Sequence, residues 1–222
     1  MKRIGIIGVL LLAAGLRAFS QGFVNLNFEG AKVTLPSGTQ PGPVLVTNAL
    51  FGWSVYFQTF PQTQIYYDDI SIGSSQITLV SASDPYGPNA IGGSFSVFLQ
   101  AGAGGPVTVS QTGLVPSFAK SMDVDLAYSG NLVPVVAAMN GQTIPLISIA
   151  TFPAYTEYAG DISAFDNQEV LLSFTQMPPS DGPTSQVEID NIQFSSSPIP
   201  EPSTLAIGVI GALLLGLARW RK

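Results

Sequence analysis

Between residues 21 and about 195, apolar and polar side chains alternate with the two-residue period of half-buried strands. Ser121 to Tyr128 is the clearest case, with Met122, Val124, Leu126 and Tyr128 on one face and Asp123 and Asp125 on the other. Similar runs are Gln76–Val80, Phe95–Phe98 and Val107–Ser110. Further strand candidates are Phe23–Glu29, Gly52–Phe57, Ile65–Ile72, Leu132–Ala138, Thr143–Ile149, Val170–Phe174 and Gln186–Phe194. Turn formers separate them: Gly73-Ser74, Asp84-Pro85-Tyr86-Gly87-Pro88, Gly104-Gly105-Pro106, Ser129-Gly130-Asn131 and the Pro178–Pro183 stretch. Asn140-Gly141 has the composition of a type I′ hairpin turn. Many short strands, frequent turns and no long amphipathic helix predict an all-β, antiparallel β-sandwich over residues 21–195.

Both ends break this pattern with continuous apolar runs. Lys2-Arg3 precedes the run Ile4–Leu16, and Ala18-Phe19-Ser20 follows it. A basic start, a short apolar stretch and small residues at a cleavage site predict a signal peptide over residues 1–20, handled by the Sec machinery. At the other end, residues 196–222 hold a proline-rich opening, an apolar stretch and Arg219-Trp220-Arg221-Lys222. The run Leu205–Ala218 reaches about 21 Å as a helix at ~1.5 Å per residue. With Ser203 and Thr204 it predicts a single membrane helix over 203–218, its basic end cytoplasmic.

Pro200-Glu201-Pro202, a short apolar helix and the terminal cluster Arg219, Arg221 and Lys222 resemble the PEP-CTERM sorting signal. That resemblance implies an exosortase as processing partner in a Gram-negative bacterium that makes exopolysaccharide. It also implies a temporary inner-membrane anchor removed near the Pro-Glu-Pro motif, with the body delivered to the cell surface or extracellular matrix.

Charge and composition narrow the chemistry. Only Lys32 and Lys120 lie between the basic tips, against fourteen acidic residues from Glu29 to Glu201, so the formal −6 conceals a central charge near −12. Such a body repels nucleic acid, having no basic patch to replace phosphate counterions. The 222 residues include no histidine and no cysteine. This excludes His-dependent triads, thiolate metal sites and disulfides. Ser-based hydrolysis also lacks a Gly-x-Ser-x-Gly elbow, and Gly102-Ala103-Gly104-Gly105 lacks the lysine of a phosphate loop.

Within the body, Asn25-Leu26-Asn27-Phe28-Glu29-Gly30 resembles the first strand of galactose-binding-like jelly rolls, which include many carbohydrate-binding modules. A helical turn at Gly160–Gln168 capped by Asp161, a penultimate strand, and Ile189-Asp190-Asn191-Ile192 in the last strand resemble the end of the same folds. The resemblance implies that first and last strands lie close, with a structural calcium there on acidic side chains and backbone carbonyls. Glu29 and Asp190 are its candidates. A change of alternation phase at Asp190-Asn191 also fits a β-bulge without any ion.

Tyr86, in a Pro/Gly loop, and Tyr155 and Tyr158, near the turn at Gly160, are the aromatic candidates for stacking on sugar. Asp68-Asp69 is the densest acidic pair, but strand neighbours point to opposite faces and cannot serve one bond. Asp123 and Asp125 share a face at a separation a glycosidase could use, yet alternation explains them as a solvated face. The sequence thus predicts an exported, exosortase-sorted protein that is non-catalytic and associated with exopolysaccharide. The other readings are a carbohydrate-active enzyme working through carboxylates alone, and a structural coat protein that binds no sugar.

Overall fold

The computed structural model describes residues 21–33, 41–71, 73–84 and 87–199. The expected signal peptide 1–20, the tail with Pro200, Glu201, Pro202, Arg219, Arg221 and Lys222, and the sugar candidate Tyr86 lie outside them. Among the described residues no helix is long and apolar enough to cross a membrane.

Among the described residues fourteen strands form two sheets. In chain order they are β1 (Gly42–Leu45), β2 (Ser54–Phe57), β3 (Phe60–Gln62), β4 (Gln64–Tyr67), β5 (Gln76–Ser81), β6 (Phe95–Ala101) and β7 (Val107–Leu114). There follow β8 (Ser121–Gly130), β9 (Val136–Met139), β10 (Gln142–Ile144), β11 (Ile147–Thr151), β12 (Thr156–Asp161), β13 (Glu169–Gln176) and β14 (Ser185–Ser195). One helical turn, α1 (Val46–Ala49), and a 3-10 turn at Ser163–Phe165 interrupt them. The larger sheet has the order β1-β4-β5-β6-β14-β8-β12-β11, the smaller β10-β9-β13-β7-β2-β3. Their facing sides bury Ile77, Leu79, Val97, Leu99, Met122, Val124, Leu126 and Ile189 against Val107, Val109, Leu172, Phe174 and Met139. The expected β-sandwich is therefore present. Its pairing is antiparallel except for β4 with β5, which run parallel.

Several local expectations hold, and others change for identifiable reasons. Asn140 and Gly141 take φ of 50° and 78°, the left-handed pair that a type I′ turn needs between β9 and β10. Asp161 accepts a hydrogen bond from Ser163 N–H at 2.9 Å ahead of the 3-10 turn, although the N-cap position itself falls on Ile162, which supplies no capping side chain. Thr143–Ile149 is not one strand: at Pro145, which has no N–H to donate, the chain leaves β10 in one sheet and enters β11 in the other. Leu132–Ala138 begins to pair only at Val136, after Pro134. Asn25–Gly30 is not a strand either. Asn25 and Phe28 are left-handed at φ 51° and 55°, and the segment is a turn held by its side chains.

The first and last segments do lie together. Ile192 N–H donates to the Leu26 carbonyl at 3.0 Å, and the Phe23 and Phe194 rings are 5.3 Å apart. Gln111 pins the entry of the chain by accepting from Val24 N–H at 2.6 Å and donating to its carbonyl at 2.9 Å.

Candidate functional site on the outer face of the larger sheet

Alternation assigns Thr78, Ser96, Phe98, Gln100, Glu188, Asp190 and Asp125 to the side of the larger sheet facing away from the core. In an isolated sandwich that side would be wet. Here Thr78, Ser96, Gln100, Glu188 and Asp190 are all buried. Thr78 and Gln100 are covered by the segment carrying Asp69, Ser71 and Ser74, whereas Ile91–Phe95 folds back over Glu188 and Asp190 and meets the carboxylates of Glu188 and Glu29 with backbone N–H groups. Ile91 N–H donates to Glu188 Oε1 at 3.1 Å, while Ser94 and Phe95 N–H donate to Glu29 Oε1 at 2.7 and 3.0 Å. Ser96 Oγ–H also donates to Glu188 Oε1. Between these contacts run Gly92 and Gly93. A Cβ on Gly92 would stand 2.8 Å from Asp190 Oδ2, and one on Gly93, which is left-handed at φ 55°, would collide with Glu29 Oε1. Only glycine lets the backbone come so near two carboxylates.

Burial sets the protonation of this cluster. Desolvation lifts the Glu188 carboxyl to about 7, against the hydrogen bonds from Ser96 and Ile91. It lifts Asp190 to about 8, opposed by Asn191 N–H and reinforced by the negative charges of Glu29, Asp125 and Glu188. Asp125 and Asp123 are also raised by desolvation, and hydrogen bonds from Asn191 and Ser121 respectively work the other way. Glu157, opposite Asp125 on β12, is raised by desolvation and by those two aspartates.

Glu29 and Asp190, the expected calcium pair, are thus brought near one another. One oxygen of each accepts from the backbone. Glu29 Oε1 binds two backbone N–H groups, and Asp190 Oδ1 accepts from Asn191 N–H at 2.6 Å. The described residues contain no group of three or more acidic side chains placed to hold one metal ion. The β-bulge reading of Asp190-Asn191 fits directly: register shifts between Asp190 and Gln193, and Asn191 is left-handed at φ 49°. Asn191 Nδ2 then reaches Asp125 Oδ2 at 3.1 Å.

The two described tyrosine candidates are on opposite faces. Tyr155 is half-buried, 4.9 Å from the Phe152 ring in the hairpin between β11 and β12, and desolvation together with Asp125, Glu157 and Asp190 raises its phenol. Tyr158 pairs with core-facing Val124 and packs edge-on against Tyr128 at 6.2 Å. There it lines an apolar cavity of about 410 Å³ between the sheets, with Pro134, Val136, Ile144 and Leu146. One ring thus stands by the acidic outer face and the other packs between the sheets. The Asp68-Asp69 pair also splits. Asp68 is buried and accepts from Ser81 N–H and Oγ–H, both at 2.7 Å, while the Asp69 carbonyl accepts from Gln76 and Thr78.

Glu188 and the Gly92-Gly93 doublet were passed over in the sequence. The signal was available in Gln186, Glu188 and Asp190, three polar residues at two-residue spacing facing the side away from Val187 and Ile189. A second cavity, about 570 Å³, opens on the same outer face beside Gln100, Gln186 and Ser129. The chain matches no protein-family model and shows no similarity to a curated protein.

Proposed function

We infer that this chain is an exported protein sorted to the cell surface or extracellular matrix by an exosortase, where its sandwich body associates with exopolysaccharide without catalysing a reaction. The observation that carries this reading is the order of segments in the sequence. A signal peptide precedes a body whose last strand ends at Ser195, and Pro200-Glu201-Pro202, an apolar run and Arg219–Lys222 follow within a few residues. The two-sheet sandwich and the closeness of the first and last segments support a jelly-roll-like body of the kind found in carbohydrate-binding modules. In its own host the mature chain is expected to lack Leu205–Lys222, and replacing Pro200-Glu201-Pro202 by alanines should leave them in place. Intact-mass measurement of the surface fraction checks this, and retention of the tail in the unaltered protein would overturn the sorting reading.

The raised carboxyls of Glu188 and Asp190 are the one observation favouring a carboxylate-based hydrolase, since perturbed acids gather at catalytic sites. Their burial beneath Ile91–Gly93 weighs against it, because neither carboxyl is open to a glycosidic oxygen. Release of reducing ends from exopolysaccharide, abolished in Glu188→Gln, would reverse that judgement.

A further inference from the structure

A straight row of polar side chains crosses the outer face of the larger sheet. Register places Gln76 opposite Gln100, Gln100 opposite Gln186, and Gln186 opposite Ser129, on four adjacent strands. Hydrogen bonds run along it in one sense. Ser129 Oγ–H donates to Gln186 Oε1 at 2.8 Å, Gln186 Nε2 donates to Gln100 Oε1 at 2.6 Å, and Gln100 Nε2 donates to the Ser74 carbonyl at 2.5 Å. Gln100 is fully buried and makes a further bond to the Ser71 carbonyl at 3.1 Å, so its amide is locked and fixes the orientation of the next. Gln186 keeps a second N–H, whose nearest acceptor is Thr184 Oγ1 at a long 3.5 Å, and a second lone pair on Oε1. Ser129, an exposed residue, keeps both lone pairs of its hydroxyl.

These spare groups line the cavity of about 570 Å³, within the ~300–1,000 Å³ of small-ligand sites. Ile70, Pro88, Pro183 and Phe98 supply apolar lining, and among the described residues no titratable side chain contributes. The walls are fixed in advance by a close approach at Gly102, whose Cβ would stand 2.7 Å from the Gly73 carbonyl oxygen and 3.1 Å from that of Pro183. A preformed, uncharged site with oriented amide and hydroxyl groups beside apolar surface suits a ligand that is neutral, rich in hydroxyls and apolar on its C–H faces. An anion would find no cation there, in a chain of net charge −6.

We propose that the Gln100-Gln186-Ser129 row and the apolar walls beside it form a binding site for a neutral hexose unit of a polysaccharide. This rests on the exopolysaccharide reading above and names its site. The test is affinity electrophoresis and calorimetric titration of the full-length chain in neutral detergent against a β-glucan, a mannan and a galactan, with a polyuronate as charge control. At least one neutral polymer should be retained, and Gln186→Leu and Ser129→Ala should each weaken retention about tenfold, one lost hydrogen bond to the ligand being worth roughly 1–1.5 kcal/mol. Bound oligosaccharide should also slow amide exchange at Thr184–Val187, a readout independent of how the variants fold. Equal retention of the unaltered chain and both variants, with no such protection, would overturn this site and leave the polysaccharide reading standing. Preference for the polyuronate would overturn the neutral ligand class. Retention of no polymer would overturn the site together with the polysaccharide reading.

Discussion

The melting temperature of the full-length chain in neutral detergent is expected to fall as pH rises from 5 to 9. Asp190 and Glu188 carry folded-state carboxyls near 8 and 7, far above the 3.8 and 4.5 of the free side chains. Where a folded pKa is raised, the folded state holds the proton that the unfolded chain gives up. The stabilisation is complete below the unfolded pKa and disappears as pH rises through the folded one. The window therefore opens near pH 4 and closes near pH 8. Asp123, Asp125 and Glu157, also raised, act in the same direction, and Asp161, lowered by its bonds to Ser163, acts oppositely at the acid end. At about 1.4 kcal/mol per pKa unit a few kcal/mol are at stake, or a fall of roughly 10 °C for a domain of this size.

The decisive variant is Asp190→Asn. It removes the proton while keeping a group that can accept from Asn191 N–H. Glu29 faces Asp190 from the first segment, Asp125 from β8 and Glu188 from its own strand, and Gly92 covers it from the loop after β5. A neutral amide among these charges should lose much of the alkaline slope and melt several degrees above the unaltered chain at pH 9. A melting temperature that stays level or rises between pH 5 and 9 in the unaltered chain would show that these carboxyls are solvated rather than covered.

The sandwich was legible in the sequence because its cause is local. Alternation in Ser121–Tyr128 or Val170–Phe174 assigns a face to each side chain without knowledge of the partner strand. The candidate site was less legible because its cause is tertiary. Alternation correctly put Asp125 on the polar side of its strand, and the same two-residue period places Glu188 with Asp190 on the side away from Val187 and Ile189. Nothing in a two-residue period reveals that Ile91–Gly93 will fold back and bury that side. The inward turn of Tyr158 was illegible for a related reason. The strand Thr156–Asp161 that turns its ring inward, TEYAGD, is too weakly alternating in hydrophobicity to show its phase. Prolines held more information than was drawn from them, since Pro134 and Pro145 account for two misplaced strand boundaries through the N–H they lack.

Phe28→Ala is expected to cost about 3–5 kcal/mol, the range for a large aromatic removed from a packed core. Phe28 is wholly buried, its ring 5.5 Å from Trp53, and it lies in the turn that carries Glu29 to the candidate site. Trp53 Nε1–H donates to the Asn25 carbonyl at 3.1 Å, Asn25 Oδ1 accepts from Gly30 N–H at 2.7 Å, and Leu26 holds the bulge of β14 through Ile192. One residue beyond Phe28, Glu29 receives the N–H groups of Ser94 and Phe95. Removing the ring therefore withdraws the anchor that fixes Glu29 as well as apolar contact. The variant should melt roughly 10 °C lower and move Trp53 emission to the red. Amide exchange should quicken at Ile91–Phe95 before it does at β9 and β10, which pair with each other at the edge of the smaller sheet opposite β2 and β3. If exchange instead quickens evenly across both sheets, Phe28 serves the core alone and the loop over Glu188 and Asp190 is held without it.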